Sequence, residues 1–226
     1  MSMLMANEVA YVYKNRYQTV RAVDNVSHSF EPGRFYAVVG KSGSGKTTLL
    51  SLLAGLDLPS SGSVTFDGVS TADMNLDHYR RNDVAVICQS FNLFPLLTAF
   101  ENVLYPLELK RTPKAKARHI AAEKLLSVGI MESQFRRLPA MLSGGEQQRV
   151  AIARALAGDA KVILADEPTG NLDTENGKNI VAILKRLAHE ESRCVIVVTH
   201  DLAIADEADE VLRMKDGRIV GTRVTG

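Results

Sequence analysis

Gly40-Lys41-Ser42-Gly43-Ser44-Gly45-Lys46-Thr47 is the stretch whose reading decides the fold. It fits the template G-x-x-x-x-G-K-[ST], and its flanks supply the context that gives the template a mechanism. Before it, Phe35-Tyr36-Ala37-Val38-Val39 is short, apolar and partly β-branched, and reads as a buried strand. After it, Thr48-Leu49-Leu50-Ser51-Leu52-Leu53-Ala54 reads as a helix closed near Gly55. In a strand–turn–helix unit of this kind, Gly40, Gly43 and Gly45 let the backbone curl so that several N–H groups converge on one phosphate. The helix N-terminus adds partial positive charge, and Lys46 reaches the β- and γ-phosphates. The Thr47 hydroxyl is placed to ligate Mg2+. The plain alternative is a glycine-rich turn before an ordinary helix; the flanking elements favour binding of a nucleoside triphosphate.

Downstream, Val162-Ile163-Leu164-Ala165 is a continuous apolar run ending in Asp166 and Glu167. Ligands of open parallel sheets lie at the carboxyl ends of strands, so these acids are expected to face the phosphates. Asp166 suits a direct or water-mediated hold on Mg2+, and Glu167 suits polarising the attacking water. An apolar run followed by two acids is a weak signal alone, since many strands end in solvated carboxylates. With a phosphate loop upstream it becomes a strong one.

The chain of 226 residues is long enough for one sizeable core with a satellite subdomain. Its net charge of +1 offers no global attraction to nucleic acid or to an anionic membrane, so no nucleic-acid partner is expected. No apolar run approaches the roughly 18 residues of a membrane span, and Met1 to Tyr13 lacks the apolar core of a secretory signal. Cys88 and Cys194 sit in strand-like runs without zinc spacing and read as small core residues of a reducing compartment. Any membrane role is therefore expected to come through a partner.

The fold expected is α/β. Strand-like pieces at Val9–Tyr13, Val26–Phe30 and Gly62–Gly68 point to a small antiparallel sheet. The runs Val84–Cys88, Val162–Ala165 and Cys194–Val198 are continuous rather than alternating, as in parallel strands covered on both faces. Between the last two, an amphipathic helix over about 174–191 carries Ile180, Ile183, Leu184 and Leu187 on one face. Residues 89–158 read as an all-helical insertion, with one helix over about 114–128 and another starting near Gly144. The expected division is thus 1–88 with 159–226 as catalytic core, and 89–158 as helical subdomain.

Leu142-Ser143-Gly144-Gly145-Glu146-Gln147-Gln148-Arg149 is the most informative remaining stretch. Ser143 is a natural N-cap with Glu146 at capping-box spacing. Glycine costs a helix up to about 1 kcal/mol relative to alanine, so Gly144 and Gly145 after the cap make sense if a phosphate approaches the exposed N–H groups closely. The chain would then own two helix N-termini built for phosphate.

This stretch resembles the signature sequence of ATP-binding-cassette (ABC) ATPases, and the other family motifs occur in family order. Gln89 matches the Q-loop glutamine, which the resemblance assigns to Mg2+ or water and to coupling with a membrane subunit. Asn171-Leu172-Asp173 matches the D-loop, and His200 matches the switch histidine that contacts the γ-phosphate. The resemblance implies an ATP site on Gly40, Ser42, Gly43, Ser44, Gly45, Lys46, Thr47 and Thr48. It implies a head-to-tail dimer, with itself or with a paired ABC subunit, in which Ser143, Gly144 and Gly145 of one chain cover the ATP held by the other, and it adds Asp173 to the nucleotide-binding residues. The aromatic that stacks on adenine is best placed at Tyr17, with Tyr11 and Tyr13 also open. The run Leu164 to Asp173 and the stretch Phe91 to Val103 are similar to the subgroup serving macrolide efflux, lipoprotein release and antimicrobial-peptide resistance, which includes the cell-division ATPase.

The same resemblance implies a P-loop core with a mainly parallel sheet and a hydrolysing cassette. Its cofactors are ATP and Mg2+, and a separate membrane permease docks near Gln89–Asn102. The chain is then cytoplasmic and peripheral on the inner face of the cell membrane. A mechanical ATPase of the cell-division type shares every one of these motifs. A soluble cassette of the DNA-repair or translation type is disfavoured by the lack of a long coiled-coil insertion or a second cassette. Phe91, Leu93, Phe94 and Leu97 read equally as core of the insertion or as the permease dock. The basic stretch Lys110, Arg111, Lys114, Lys116, Arg118 reads as a solvated helix face, with anionic lipid headgroups as the alternative.

Overall fold

The computed structural model describes residues 3–14 and 17–225. Near the N-terminus β1 (Leu4–Lys14) and β2 (Thr19–Phe30) pair antiparallel, and β1 also pairs with β4 (Ser61–Phe66), which turns into the short β5 (Val69–Ser70). Between them in sequence lie β3 (Phe35–Val39) and α1 (Lys46–Leu53), the two arms of the phosphate loop. The chain continues through α2 (Leu76–Asn82), β6 (Val84–Cys88), α3 (Ala99–Leu109), α4 (Lys114–Ser127), two short 3-10 turns and α5 (Gly144–Ala157). It closes with β7 (Val162–Asp166), α6 (Thr174–His189), β8 (Cys194–Thr199), α7 (Leu202–Asp206), β9 (Glu210–Lys215) and β10 (Arg218–Val224).

The second sheet has the order β10-β9-β3-β8-β7-β6, parallel throughout except for the antiparallel edge strand β10. Its apolar strands are continuous because both faces are covered. Phe35, Ala37 and Val39 of β3 join one buried cluster, with Ile163 and Ala165 of β7 and Val195 and Val197 of β8. Tyr36 and Val38 join the opposite cluster, with Leu164, Ile196 and Val198, against α1 and the antiparallel sheet. Ile180, Leu184 and Leu187 of α6 are fully buried on the first face, each worth about 1.5–3 kcal/mol relative to exposure.

The helices between β6 and β7 share this first core. Val103, Leu107, Ala121, Leu125, Val150, Ile152 and Leu156 belong to the same contiguous cluster as Ile180 and Val195. Helix α5 is therefore seated against the parallel sheet and α6 through continuous apolar packing. The basic stretch is partly consumed internally: Lys110 Nζ donates to Gly158 O at 2.6 Å, and the Arg118 guanidinium lies 5.2 Å over the Phe100 ring. Burial pushes the Cys194 thiol up to about 12 and raises that of Cys88, so both behave as packing groups.

Several elements carry local signals that hydrophobic periodicity alone passes over. Helix α3 opens with a capping box between Thr98 and Glu101, and α2 is capped by Asn75. The pair Asp216-Gly217 joins β9 to β10 with φ of 48° and 80°, the two positive angles of a two-residue hairpin turn.

Candidate active site

Two glycines of the phosphate loop, Gly43 and Gly45, adopt left-handed backbone conformations. Gly45 has φ 97°, and a Cβ there would overlap the carbonyl oxygen of Ala22; Gly43 has φ 77°. Helix α1 begins without a side-chain cap and without an acidic residue in its first turn, which leaves its N–H groups for an outside acceptor. Ser44 Oγ is buried with no hydrogen-bond partner. The Lys46 ammonium folds back onto the loop, donating to Gly40 O at 2.8 Å and Lys41 O at 3.1 Å. An uncapped helix end, a lysine hydrogen-bonded to loop carbonyls and a serine hydroxyl without a hydrogen-bond partner among the described residues together fit a phosphate chain.

Ser42, Gly43, Gly45, Lys46, Thr47 and Thr48 line a cavity of about 960 Å3. Gln89, Asp166, Glu167 and His200 line the same cavity, so the four segments that carry these motifs meet there. Thr47 Oγ1 donates to Asp166 Oδ1 at 3.3 Å. Burial, only partly offset by that hydrogen bond, raises the Asp166 carboxyl above its ordinary range. No group of three or more His, Cys, Asp or Glu able to hold a metal occurs among the described residues. A single hydroxyl beside a single carboxylate is a hard-oxygen pair that suits Mg2+, which takes most of its remaining ligands from phosphate and water.

Glu167 stands directly after β7 with φ 46°, a left-handed conformation that costs a non-glycine residue about 1–3 kcal/mol. The surroundings hold it there. Its N–H donates to Val198 O at 2.8 Å, Thr199 Oγ1 donates to its Oε2 at 3.2 Å, and its Oε1 lies 2.9 Å from His200 Nδ1. With Glu167 as a carboxylate, which only accepts, this contact is satisfied by the tautomer of His200 that carries its proton on Nδ1. The His200 side chain is 71% exposed and that of Glu167 is 18% exposed. The carboxylate is thus fixed by the core while the imidazole stays at the surface. Nothing in the sequence announced this strained backbone.

Gln89 and Asn171 form a reciprocal amide pair: Asn171 Nδ2 donates to Gln89 O at 3.1 Å, and Gln89 Nε2 to Asn171 Oδ1 at 3.5 Å. Asp173 is placed elsewhere. It caps α6, accepting from Asn176 N and Nδ2 at 2.8 Å each, and lines a second groove of about 840 Å3 along α6 and α7. These hydrogen bonds hold its carboxyl below the usual range. Tyr17 is 92% exposed and does not line the phosphate-loop cavity. Tyr13 does line it, with its hydroxyl 3.3 Å from Thr48 Oγ1 and its ring edge-on to Tyr11 at 4.9 Å. Motif spacing favours Tyr17, but spacing along the chain does not say which tyrosine of β1 or of the connection to β2 faces the cavity, and here it is Tyr13. Ala22, Asp216 and Gly217 also line the cavity and were not read from the sequence, although the Asp-Gly hairpin signal was there.

None of Ser143, Gly144 and Gly145 lines that cavity. The capping box of α5 is formed: Glu146 N donates to Ser143 Oγ at 3.3 Å and Ser143 N to Glu146 Oε2 at 2.7 Å. The backbone hydrogen bond from Ser143 holds the Glu146 carboxyl below its ordinary value. A lowered carboxylate contributes stability above its unfolded value, near 4.3, and loses it as pH falls through the folded one. Glu146→Gln is accordingly expected to destabilise the chain by about 0.5–1 kcal/mol at pH 7. The gap from the parent should narrow below about pH 4, read by urea denaturation at both pH values.

A family model described as ABC transporter matches residues 23–170. The lipoprotein-releasing system ATP-binding protein LolD of Syntrophotalea carbinolica is 44% identical over 220 residues, covering 95% of this chain and 96% of that protein. The macrolide export ATP-binding/permease protein MacB of Neisseria gonorrhoeae is 42% identical over 223 residues, 97% of this chain but 34% of that protein. The solved dimer of the cassette MJ0796, from Methanocaldococcus jannaschii, in a post-hydrolysis state bound to ADP and Pi, superimposes with a TM-score of 0.91. It is 38% identical and covers 99% of this chain and 100% of that one. Among the described residues no helix is long and apolar enough to cross a membrane. With the phosphate loop, the Asp166–Glu167 pair and His200 converging on one cavity, the chain belongs to the ABC transporter family and is its ATP-binding, ATP-hydrolysing cassette.

Proposed function

We propose that the cavity is one half of a composite ATP site whose other half, Ser143 to Gly145 and Asp173, comes from a second cassette. The observation that carries this reading is that Glu167, His200, Lys46, Thr47 and Asp166 share one cavity while the signature residues of the same chain stand outside it. Lys46 turns from its loop carbonyls to the phosphates, and Thr47 and Asp166 would hold Mg2+, which would neutralise charge on the phosphate oxygens. Glu167 accepts a hydrogen bond from the attacking water and orients it, and His200 meets the γ-phosphate through its outer nitrogen. Gln89 borders the water and metal position. Tyr13 replaces Tyr17 as the residue we assign to the adenine. We retain residues 89–158 as the signature subdomain on a core of 1–88 and 159–226.

We further propose that a membrane permease docks on the segment after Gln89 and holds the cassette on the inner face of the cell membrane. That segment divides in the fold: Leu93 packs on the core, whereas Phe94 is 41% and Leu96 86% exposed. Buried Asn102 braces it, accepting from Phe94 N at 2.8 Å and donating toward the carbonyls of Phe94, Leu97 and Thr98. An apolar tip on a braced loop is what a partner's short helix needs. The test is a bifunctional cross-linker attached at Leu96→Cys in native membranes. It is expected to capture an integral membrane protein, while the same reagent at Leu126→Cys on α4 does not. Capture from Leu126→Cys alone would overturn the docking surface.

A further inference from the structure

The two signature glycines are not equivalent in this fold. At Gly144 an added Cβ would meet Leu172 Cδ2 at 3.5 Å, an ordinary contact. At the buried Gly145 it would overlap Asn176 Oδ1 and lie 2.5 Å from Cγ and 3.1 Å from Cβ of the same side chain. Asn176, in the first turn of α6, is itself held at three points. Its N–H and Nδ2 each donate to a carboxylate oxygen of Asp173 at 2.8 Å, and its Oδ1 accepts from Arg149 Nη1 of α5 at 3.3 Å. One amide therefore joins the D-loop aspartate to the signature helix and occupies the space that a Cβ at position 145 would need.

We propose that Asn176 is a positioning residue. It sets the height of the α5 N-terminus over α6, and position 145 is glycine so that α5 can rest on this amide. Ser143 and Gly144 are then presented outward at a fixed angle to the nucleotide of a second chain. A methyl group inserted into such a close-packed seat forces the side chain off its rotamer or shifts the backbone. The inference rests on the composite-site reading above. It adds that Gly145 is required by its own chain, before any phosphate approaches.

A two-by-two set tests it: Gly145→Ala, Asn176→Ala and the double variant. Each is measured for thermal unfolding without nucleotide and, with Glu167→Gln added, for ATP-dependent dimerisation by light scattering. Gly145→Ala alone is expected to weaken dimerisation by about tenfold or more, the scale of an overpacked contact. Asn176→Ala alone is expected to weaken it several-fold, from loss of the brace. In the double variant the clash is relieved, so it is expected to dimerise better than Gly145→Ala and to melt no lower than the sum of the single shifts. ATP binding to the isolated chain is expected to be unchanged by Asn176→Ala. Strictly additive effects in both measurements would overturn the proposal and leave Gly145 required by the partner's phosphate. Coupling in unfolding without coupling in dimerisation would reduce Asn176 to a structural contact and also overturn it. Failure of the composite-site reading shows separately, as no loss of dimerisation on Ser143→Arg.

Discussion

Replacing Glu167 with glutamine is expected to lower steady-state ATP turnover by about 10²–10⁴-fold, the range for loss of a positioned general base. The substitution preserves length and shape. A glutamine oxygen can still accept from Thr199 Oγ1, now 3.2 Å from Oε2, and the backbone keeps its hydrogen bond to Val198. What is lost is the negative charge that polarises water and fixes the proton of His200 on Nδ1, 2.9 Å away. Lys46, Thr47 and the loop amides are untouched, so ATP is expected to bind as before and to hold two chains together unhydrolysed. Light scattering is then expected to show the mass doubling with ATP and persisting, whereas the parent chain dimerises only transiently. Unchanged turnover would remove Glu167 from the water-orienting role. Turnover lost along with ATP binding would mean that the substitution collapsed the left-handed backbone at this residue instead.

The second large effect separates the two halves of the site. Lys46→Ala removes the phosphate-loop cation, and Ser143→Arg places a bulky charge on the signature cap. Each variant alone is expected to lose nearly all ATPase activity, because every site of its homodimer carries one defect. Mixed together, a Lys46→Ala chain and a Ser143→Arg chain form a heterodimer with both defects in one site and none in the other. Random pairing of equal amounts makes about half of all dimers of this kind, by two-fold symmetry. Activity is therefore expected to return on mixing, to a substantial fraction of the parent, and to depend on total protein concentration. No recovery, with heterodimers shown to form, would contradict a site shared between chains. Full activity of Ser143→Arg by itself would place the signature outside the chemistry altogether.

Much of this was legible in the sequence because short-range physics fixes it. A continuous apolar strand before Gly40, glycines at fixed spacing and a helix after Thr47 leave one local solution, and the structure places β3, the loop and α1 there. The same holds for Val162–Ala165, buried on both faces, and for Ser143, whose capping partner Glu146 lies one turn away. The adenine-side aromatic was another matter. Tyr11 and Tyr13 lie on β1 and Tyr17 in the connection to β2, and of the three it is Tyr13 that lines the cavity. The Asp216-Gly217 turn reaches the same cavity from the far end of the chain, and no spacing rule connects it to Gly45.

The sequence by itself determined the local elements of this protein: a phosphate loop, an Asp166–Glu167 pair at the end of a buried strand and a capped helix at Ser143, each set by residues within a turn or a strand of one another. Tertiary structure alone decided three things. It held Glu167 in a left-handed conformation between Val198, Thr199 and His200, since that strain is sustained only by a neighbouring strand. It brought Tyr13, and not Tyr17, to the wall of the phosphate-loop cavity. And it seated the phosphate-ready glycine Gly145 on Asn176, an amide 31 positions further along the chain. A local pattern cannot contain a contact whose partner arrives from another element, and these three are contacts of that kind.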